Sequence, residues 1–227
     1  MITTNQKDVL FREISLYLKK YKVKSLLDIG AGDGILAQKL ANRVSRYLAI
    51  ESDRERIEKL RGFGLETIHA TFPQGIAGKF DMVLASHSIP EDESLYRPFL
   101  ETAWNTLNDK GVLLIVTFKG QHGELHDLRN KWRDTKDSDG IDEKLYHAML
   151  NILKTYGKVE IHRVVSEFQS ENIDEITDFA IRSISPKESE KEACVQFLRD
   201  FFKIKHFSEG KYFFPHEHVF ISVSRLS

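Results

Sequence analysis

The stretch from Ser25 to Gly34, SLLDIGAGDG, constrains the fold of this chain more than any other. Apolar residues lead into Asp28 and then into three glycines at alternate positions, a pattern typical of a buried strand that ends in a tight turn. Ile35 to Leu40 then reads as a helix. Because glycine permits a close approach and a helix start presents unpaired N–H groups, a ligand can bind against such a turn. A tight turn without a ligand is the alternative.

Short apolar stretches alternate with amphipathic ones over the first half of the chain. The predicted strands are Val23 to Ile29, Tyr47 to Ile50, Leu65 to His69, Phe80 to Ala85 and Val112 to Phe118, the last of them preceded by a turn at Asn108 to Gly111. Continuous apolar strands between amphipathic helices are typical of a parallel sheet that is covered on both faces. We therefore expect a doubly wound α/β domain.

The second half of the chain has a less regular pattern. Lys119 to Gly140 is polar and mixed in charge, and the pattern then predicts helices over Asp142 to Tyr156 and Ile173 to Ile184. A serine cap, a proline and a glutamate over Ser185 to Glu188 predict the start of another helix. The predicted strands of this half are Val159 to Phe168, Lys211 to Pro215 and His218 to Ser224.

Composition excludes several classes of protein. A net charge of −1 gives no general attraction to polyanions, and the one cysteine, Cys194, rules out an internal disulfide framework and a cysteine zinc cluster. No pair of histidines has metal-ligand spacing with carboxylate support, so no metal is expected. The chain shows neither a signal peptide nor a stretch as long as a membrane span. We expect a cytoplasmic protein that does not bind a membrane.

The spacing of the glycines narrows the choice of ligand. A dinucleotide fingerprint needs a glycine where Ile35 stands, and a phosphate-binding Walker loop needs a Gly-Lys-Ser/Thr ending, which is missing. The sequence DIGAGDG resembles instead the first motif of class I S-adenosylmethionine-dependent methyltransferases. In that family no phosphate lies at the turn, so the carboxylates of Asp28 and Asp33 are compatible with the cationic groups of the cofactor.

The resemblance also implies which residues bind S-adenosylmethionine. Glu51, at the end of the second strand, would accept hydrogen bonds from both ribose hydroxyls. Many family members carry an acidic residue for the adenine amino group where this chain has Thr71 and Phe72. Thr71 or the backbone would then supply the polar contact and Phe72 a packing surface; the alternative is that Phe72 belongs to the core. The full predicted set is Asp28, Gly30, Ala31, Gly32, Gly34, Glu51, Ser52, Thr71, Phe72, Ser86 and His87.

The resemblance covers Ser25 to Phe118 by motif and extends to the C-terminus by strand pattern. It implies a mostly parallel seven-stranded sheet with an antiparallel last strand, helices on both faces and extra lid helices. We expect one domain over residues 1–227, composed of an N-terminal helix at 1–22, a cofactor-binding half at 23–118 and an acceptor-side half at 119–227. The last part would include a helical insertion at about 170–210.

Methyl transfer from a sulfonium is an in-line displacement, so the protein mainly aligns the reactants and excludes water. A general base is optional, and His87, just after the fourth strand, is the best-placed candidate. The alternative is that His87 only packs against or hydrogen-bonds the cofactor. His122 is a weaker candidate, and we assign His162, His216 and His218 to the surface or edge of the last strands.

The sequence says less about the methyl acceptor than about the cofactor. Relatives that methylate base amino groups often carry Asp/Asn-Pro-Pro-Tyr/Phe after the fourth strand, where this chain has Ser-His-Ser-Ile-Pro. We therefore favour transfer to N or O of a small molecule, with nucleic acid disfavoured. Methylation of RNA or protein, and a non-catalytic cofactor-binding domain, remain alternatives. The N-terminal helix and residues 119–140 and 169–215 would form a lid, with aromatic walls from Phe11, Tyr17, Trp132, Tyr146 and Phe214.

Overall fold

The computed structural model describes residues 1–118, 120, 122–132 and 141–225. These residues form a sheet of nine strands. The strands are β1 (Thr3–Thr4), β2 (Ser25–Ile29), β3 (Arg46–Glu51), β4 (Thr67–His69), β5 (Phe80–Ser86), β6 (Leu107–Thr117), β7 (Lys158–Ser170), β8 (Phe207–Ser208) and β9 (Lys211–Ser224).

The helices lie between and around these strands. They are α1 (Gln6–Lys20), α2 (Ile35–Ala41), α3 (Arg54–Gly62), α4 (Tyr96–Asn105), α5 (Glu124–Trp132), α6 (Ile141–Leu153), α7 (Ile173–Ile184) and α8 (Lys191–Lys205). Short 3-10 turns at Glu93–Leu95 and Glu188–Glu190 precede α4 and α8. None of the described helices combines the length and the apolar composition that a membrane span requires.

The strand order is β1-β7-β9-β6-β5-β2-β3-β4, with β8 paired to β9. Strands β2 to β6 run parallel to their neighbours in the core, and β9 runs antiparallel to both β6 and β7. The predicted mostly parallel seven-stranded sheet with an antiparallel last strand is therefore confirmed. The two-residue strands β1 and β8 are additions at its margins.

The topology fixes where a ligand can bind. In the sheet, β3 and β4 lie on one side of β2, and β5 and β6, which follow in the chain, lie on its other side. The helices that follow β2 and β5 therefore leave the sheet on opposite faces, and a crevice opens between the carboxyl ends of these two neighbouring strands. The glycine turn follows β2 and His87 follows β5, so both lie at this crevice.

Strands β7 and β9 continue beyond the core sheet. β9 pairs with β6 only from Val219 to Ser224, but it pairs with β7 along its whole length, from Tyr212↔Ser170 to Ser224↔Lys158. Since β6 ends at Thr117 opposite Val219, the rest of β7 and β9 forms a two-stranded ribbon past the carboxyl end of β6. This ribbon stands next to the crevice.

Three hydrophobic clusters hold the fold together. α4 and α6 cover one face of the sheet, and α1, α2 and α3 cover the other. The third cluster packs α5, α7 and α8 around Phe214 and Phe168 of the ribbon, so the helices predicted beyond the core sheet are present. Within the predicted lid segment 119–140, residues 119, 121 and 133–140 lie outside the described residues.

Two local predictions of the sequence analysis are wrong. The turn predicted at Asn108 to Gly111 is part of β6, where the amide of Asn108 donates to Asp81 Oδ1 at 2.8 Å and the strand register shifts. The helix start predicted at Ser185 is instead the end of α7. Ser185 has φ +53°, and its hydroxyl donates to the carbonyl of Arg182 rather than to a following turn.

Two further elements differ from the prediction. The strands predicted on either side of Glu217 are one strand, because the ladder with β7 continues through Pro215 opposite Glu167. Helix α5 was not predicted, since its sequence is dominated by charged residues. Only Leu125 and Leu128 of α5 are buried, and both pack into the third cluster.

Candidate functional site

The glycine turn after β2 has a backbone conformation that is strained for other residues. Gly30, Gly32 and Gly34 all have positive φ, at +72°, +65° and +83°. A Cβ on Gly30 would lie 2.5 Å from Cβ of Ser88, and a Cβ on Gly34 would lie 2.8 Å from the ring of Phe63. The missing side chains therefore let the ends of β2 and β5 approach each other and let α2 begin at once.

Glu51 connects the end of β3 to this turn. Its side chain is 5% exposed, and Oε2 accepts a hydrogen bond of 2.9 Å from the N–H of Gly32. Oε1 accepts from the N–H groups of Ser52 and Asp53 at 2.9 and 3.0 Å. A carboxylate can accept about four hydrogen bonds, so Glu51 fixes the turn and keeps acceptor capacity for a ligand hydroxyl.

A cavity of about 270 Å³ lies on the α1 side of the turn. It brings together residues from the start of α1, the glycine turn, α3 and the end of β5. Its lining consists of Gln6, Lys7, Leu10, Asp28, Gly30, Ala31, Gly32, Asp33, Leu36, Arg56, Ser86 and His87. Acidic and basic side chains therefore line the same small space, which suits a ligand that carries charges of both signs.

Asp28 is the buried charge of this cavity. It is 3% exposed, and its Oδ2 accepts a 2.6 Å hydrogen bond from the hydroxyl of Tyr47. Burial raises the pKa of Asp28 to about 6, while the bond from Tyr47 and the nearby Lys7 act in the opposite direction. A group that titrates close to neutral pH thus lies beside the glycine turn, as ligand-binding and catalytic groups often do.

His87 occupies a strained position at the end of β5. It has φ +55°, and its backbone N–H donates to the carbonyl of Val116 at 2.8 Å. The side chain is exposed to the cavity, and its ring stacks on Phe118 with centroids 3.9 Å apart. Burial against the surrounding atoms and the neighbouring His218 and His216 lower the pKa of His87, so the imidazole is neutral at pH 7.

His87 contacts His218, and His218 in turn contacts Ser166 in the protein interior. Nε2 of His87 lies 3.1 Å from Nδ1 of His218, and Nε2 of His218 lies 2.8 Å from Oγ of Ser166. His218 and Ser166 are fully buried, and the ring of His216 stacks on the other side of Phe118 at 4.3 Å. The prediction that His218 belongs to the surface or edge of the last strands is therefore wrong. His216 is half-buried and lies where β9 pairs with β7 alone, so its predicted place at a strand edge is not contradicted.

The alternation of β9 contained the signal for this cluster. Val219, Ile221 and Val223 point to the α4 and α6 face, so the residues between them point to the α1 face. Continued towards the start of β9, the same alternation puts His218 and His216 on the α1 face with Phe220. What the sequence could not supply is that this face of β9 adjoins the end of β5.

The predicted cofactor residues divide into three groups. Asp28, Gly30, Ala31, Gly32, Ser86 and His87 line the cavity. Glu51, Ser52 and Gly34 adjoin it through the turn. Thr71 and Phe72 lie outside it: Thr71 is exposed, and Phe72 packs edge-on against Phe99 of the core with centroids 4.7 Å apart.

Other predicted contacts are absent from the cavity, and unpredicted ones are present. The five aromatic residues proposed as walls all pack in the three hydrophobic clusters, and none lines the cavity. Gln6, Lys7 and Leu10 were not predicted, because the sequence indicates an N-terminal helix but not what its first turn faces. Arg56, which no motif marks, was not predicted either.

Solved structures with the same fold include several methyltransferases. Precorrin-6y C5,15-methyltransferase from Geobacter metallireducens is 15% identical at a TM-score of 0.55, covering 93% of this chain and 86% of that one. N-methyltransferase NodS from Bradyrhizobium japonicum, solved with S-adenosyl-L-homocysteine, is 13% identical at 0.54, covering 95% and 87%. The plantazolicin methyltransferase BamL, also solved with that product, is 15% identical at 0.56, covering 98% and 85%. At these identities the likeness shows the fold alone.

The family is shown by sequence. No curated protein sequence matches this one. A family model described as a methyltransferase domain matches residues 3–175, which span α1, the glycine turn, Glu51, His87 and β7. The prediction made from DIGAGDG is therefore confirmed: the chain belongs to the methyltransferase domain family, as a class I enzyme of no assigned subfamily.

Proposed function

We propose that this methyltransferase takes its methyl group from S-adenosylmethionine and transfers it to N or O of a small molecule. The observation that carries the choice of donor is the cavity at the glycine turn, which combines a close backbone approach at Gly30 with charges of both signs. The donor has an amino-acid end with a carboxylate and an ammonium group. Such an end matches the mixed charges of the lining.

The residues present fit the cofactor group by group. Lys7 and Arg56 would attract its carboxylate, Asp28 its ammonium group, and Glu51 its ribose hydroxyls. When bound, the cofactor supplies a methyl group that is already activated on a sulfonium. The protein then has to orient the acceptor, exclude water and handle one proton.

His87 is the side chain best placed to handle that proton. It lines the cavity as a neutral imidazole, so it accepts a hydrogen bond from an acceptor O–H or N–H without first losing a proton of its own. A lowered pKa makes His87 a weak base. A weak base still suffices, because the proton becomes strongly acidic once the acceptor atom forms its new bond to carbon.

Two observations support a small molecule as the methyl acceptor: the side chains near His87, and the substrates named for proteins of the same fold. The rings that contact His87 are the neutral Phe118 and His218, His216 stacks on Phe118, and the ribbon beside them is covered by α7 and α8. Proteins of the same fold are named for methylating precorrin-6y and plantazolicin. We extend the proposal to one domain over residues 1–227, with the acceptor bound by the part after residue 118, and to a cytoplasmic location, which the lone cysteine favours.

We expect Glu51→Gln to weaken the binding of S-adenosylhomocysteine. The amide keeps the shape of the side chain, but it removes the charge and turns one acceptor oxygen into a donor that faces a backbone N–H. Charge-assisted hydrogen bonds are worth about 1.5–3 kcal/mol, so affinity should fall about 10- to 100-fold. Titration calorimetry with S-adenosylmethionine, S-adenosylhomocysteine and NAD measures this loss.

Asp53→Asn is the matched control, because it removes the same charge two residues away. Asp53 caps α3 by accepting from the N–H of Arg56 at 2.9 Å, and asparagine caps a helix equally well. We expect its affinity to stay unchanged. Equal weakening by both variants would contradict the ribose role of Glu51, and binding of NAD alone would contradict the proposed donor.

The class of acceptor is tested by following a labelled methyl group. The enzyme is incubated with methyl-labelled S-adenosylmethionine and a cell extract separated by size into small molecules and macromolecules. We expect the label to appear in the small-molecule fraction. Label that nuclease or protease treatment releases from the macromolecular fraction would overturn the small-molecule proposal and leave the donor in place.

A further inference from the structure

His87, His218 and Ser166 form a hydrogen-bonded chain that leads from the cavity into the interior. The two contacts along it are 3.1 Å between the imidazoles and 2.8 Å between His218 and Ser166. Oγ of Ser166 also donates to the carbonyl of His216 at 3.4 Å. Among the described residues Nδ1 of His87 has no hydrogen-bond partner, and it is the ring nitrogen left for a ligand.

The contacts of Ser166 set the direction of the protons in this chain. If the hydroxyl donates to the carbonyl of His216, it must accept from Nε2–H of His218. Nδ1 of His218 is then unprotonated and accepts from Nε2–H of His87, which leaves Nδ1 of His87 as a lone pair. The opposite direction makes one hydrogen bond fewer, because the hydroxyl of Ser166 is then used on His218 and cannot reach His216.

We propose that His218 and Ser166 are positioning residues that hold His87 in its Nε2–H tautomer, with Nδ1 open to the methyl acceptor. The inference rests on the proposed function, in which His87 faces that acceptor. As the bond from carbon to the acceptor atom forms and the bond from carbon to sulfur breaks, the sulfur leaves as a neutral thioether. The proton of the acceptor goes to Nδ1 of His87, and Nε2–H keeps its bond to His218.

Other features of the site fit this role. Burial lowers the pKa values of His218 and His216, so the chain contains neutral rings and no competing charge. Phe118 lies between the rings of His87 and His216 and limits rotation of His87. His87 also has a positive φ, and backbone strain of this kind is typical of functional sites.

The test is the tautomer of His87 in the free protein, read from nitrogen-15 correlation spectra of the imidazole rings. The chain has nine histidines, so the signals of His87 are identified by their loss in His87→Asn. We expect the wild type to show one tautomer, with Nδ1 unprotonated. In His218→Leu and in Ser166→Ala the signals should move to averaged positions, because neither variant retains the complete chain.

His218→Asn is the matched control, since its amide oxygen can take the place of Nδ1 and accept from His87. It should restore the single tautomer. With the small-molecule fraction of the extract as acceptor, the initial rate of label transfer should fall roughly 10-fold or more in His218→Leu and recover in His218→Asn. The affinity for S-adenosylhomocysteine should stay within about 2-fold of the wild type in each variant, as expected when no cofactor contact is lost.

The outcomes separate this inference from the proposed function. Protonated Nδ1 in the wild type, or an unchanged tautomer in His218→Leu, would overturn the inference even if the cofactor binds. If His218→Leu does not fold, the smaller change Ser166→Ala gives the same decision. Failure of the wild type to bind S-adenosylhomocysteine would instead count against the proposed function, whatever the tautomer.

Discussion

Gly30→Ala should abolish tight binding of the cofactor and destabilise the fold. The new Cβ would lie 2.5 Å from Cβ of Ser88, closer than such atoms come, and the residue would have to keep φ +72°. The backbone strain costs about 1–2 kcal/mol and the overlap about 1–3 kcal/mol. The ends of β2 and β5 must move apart to relieve the overlap, and a displaced turn should cost about 100-fold in affinity for S-adenosylhomocysteine.

Two companion variants separate these causes. Gly64 has a matching φ of +74°, and no atom lies within 4 Å of the Cβ that Gly64→Ala would add. This variant should therefore lose only the stability that backbone strain costs, and it should bind the cofactor normally. In Gly30→Ala with Ser88→Gly, the clashing Cβ is gone, at the expense of the bond that Ser88 Oγ donates to the carbonyl of Ile29. Binding by the double variant should therefore recover in part.

Denaturant titration and calorimetry decide the outcome. If Gly30→Ala and Gly64→Ala lose the same stability, the contact with Ser88 contributes nothing. If the Ser88→Gly change gives no recovery, the loss of binding comes from the backbone conformation alone. The expected coupling between positions 30 and 88 is about 1–3 kcal/mol, since residues in direct contact are not additive.

The fold was predictable wherever one physical signal dominated. Strand β2, the glycine turn and the parallel core follow from apolar runs and from glycines at positions that need positive φ. The errors fall where side chains override local propensity. Asn108 is bonded to Asp81 across the sheet, and Pro215 lies within a ladder that its ring does not interrupt. Asp81 and Glu167, which pair with Asn108 and Pro215, are not close to them in sequence.

The sequence predicted the parts of the site that lie in local motifs, but not the residues that distant segments bring to it. The motif marked the glycine turn and Glu51, and strand order placed His87 at the crevice. The residues that complete the cavity come from α1 and α3, and those that hold His87 come from β7 and β9. Their position depends on the ribbon extending past β6, which is a property of pairing register and leaves no local signal.

Asp28→Asn should stabilise the protein above pH 6 and weaken the binding of the cofactor. Burial raises the pKa of Asp28 from 3.8 to about 6, so the folded state bears the cost of a buried charge at neutral pH. Each pKa unit corresponds to 1.36 kcal/mol, which gives a cost of about 3 kcal/mol. Asparagine removes that charge, and its amide oxygen still accepts the hydrogen bond from Tyr47.

The pH dependence gives this prediction a clear sign. A carboxyl group whose pKa is raised by folding costs nothing below its unfolded value of 3.8, and its cost is complete above about 6. The variant and the wild type should therefore have equal free energies of unfolding near pH 4 and diverge as the pH rises to 7. Thermal and denaturant unfolding across this range measure the difference.

Binding should change in the opposite sense. The wild type should bind S-adenosylhomocysteine more weakly as the pH falls through about 6, because protonation of Asp28 removes the charge that attracts the ammonium group of the ligand. Asp28→Asn should bind weakly at every pH. Tyr47→Phe removes the bond that favours the carboxylate, so the loss of affinity should begin at a higher pH. A destabilised Asp28→Asn would contradict the predicted cost of the buried charge, and full affinity in this variant would contradict the role of Asp28 in attracting the ammonium group.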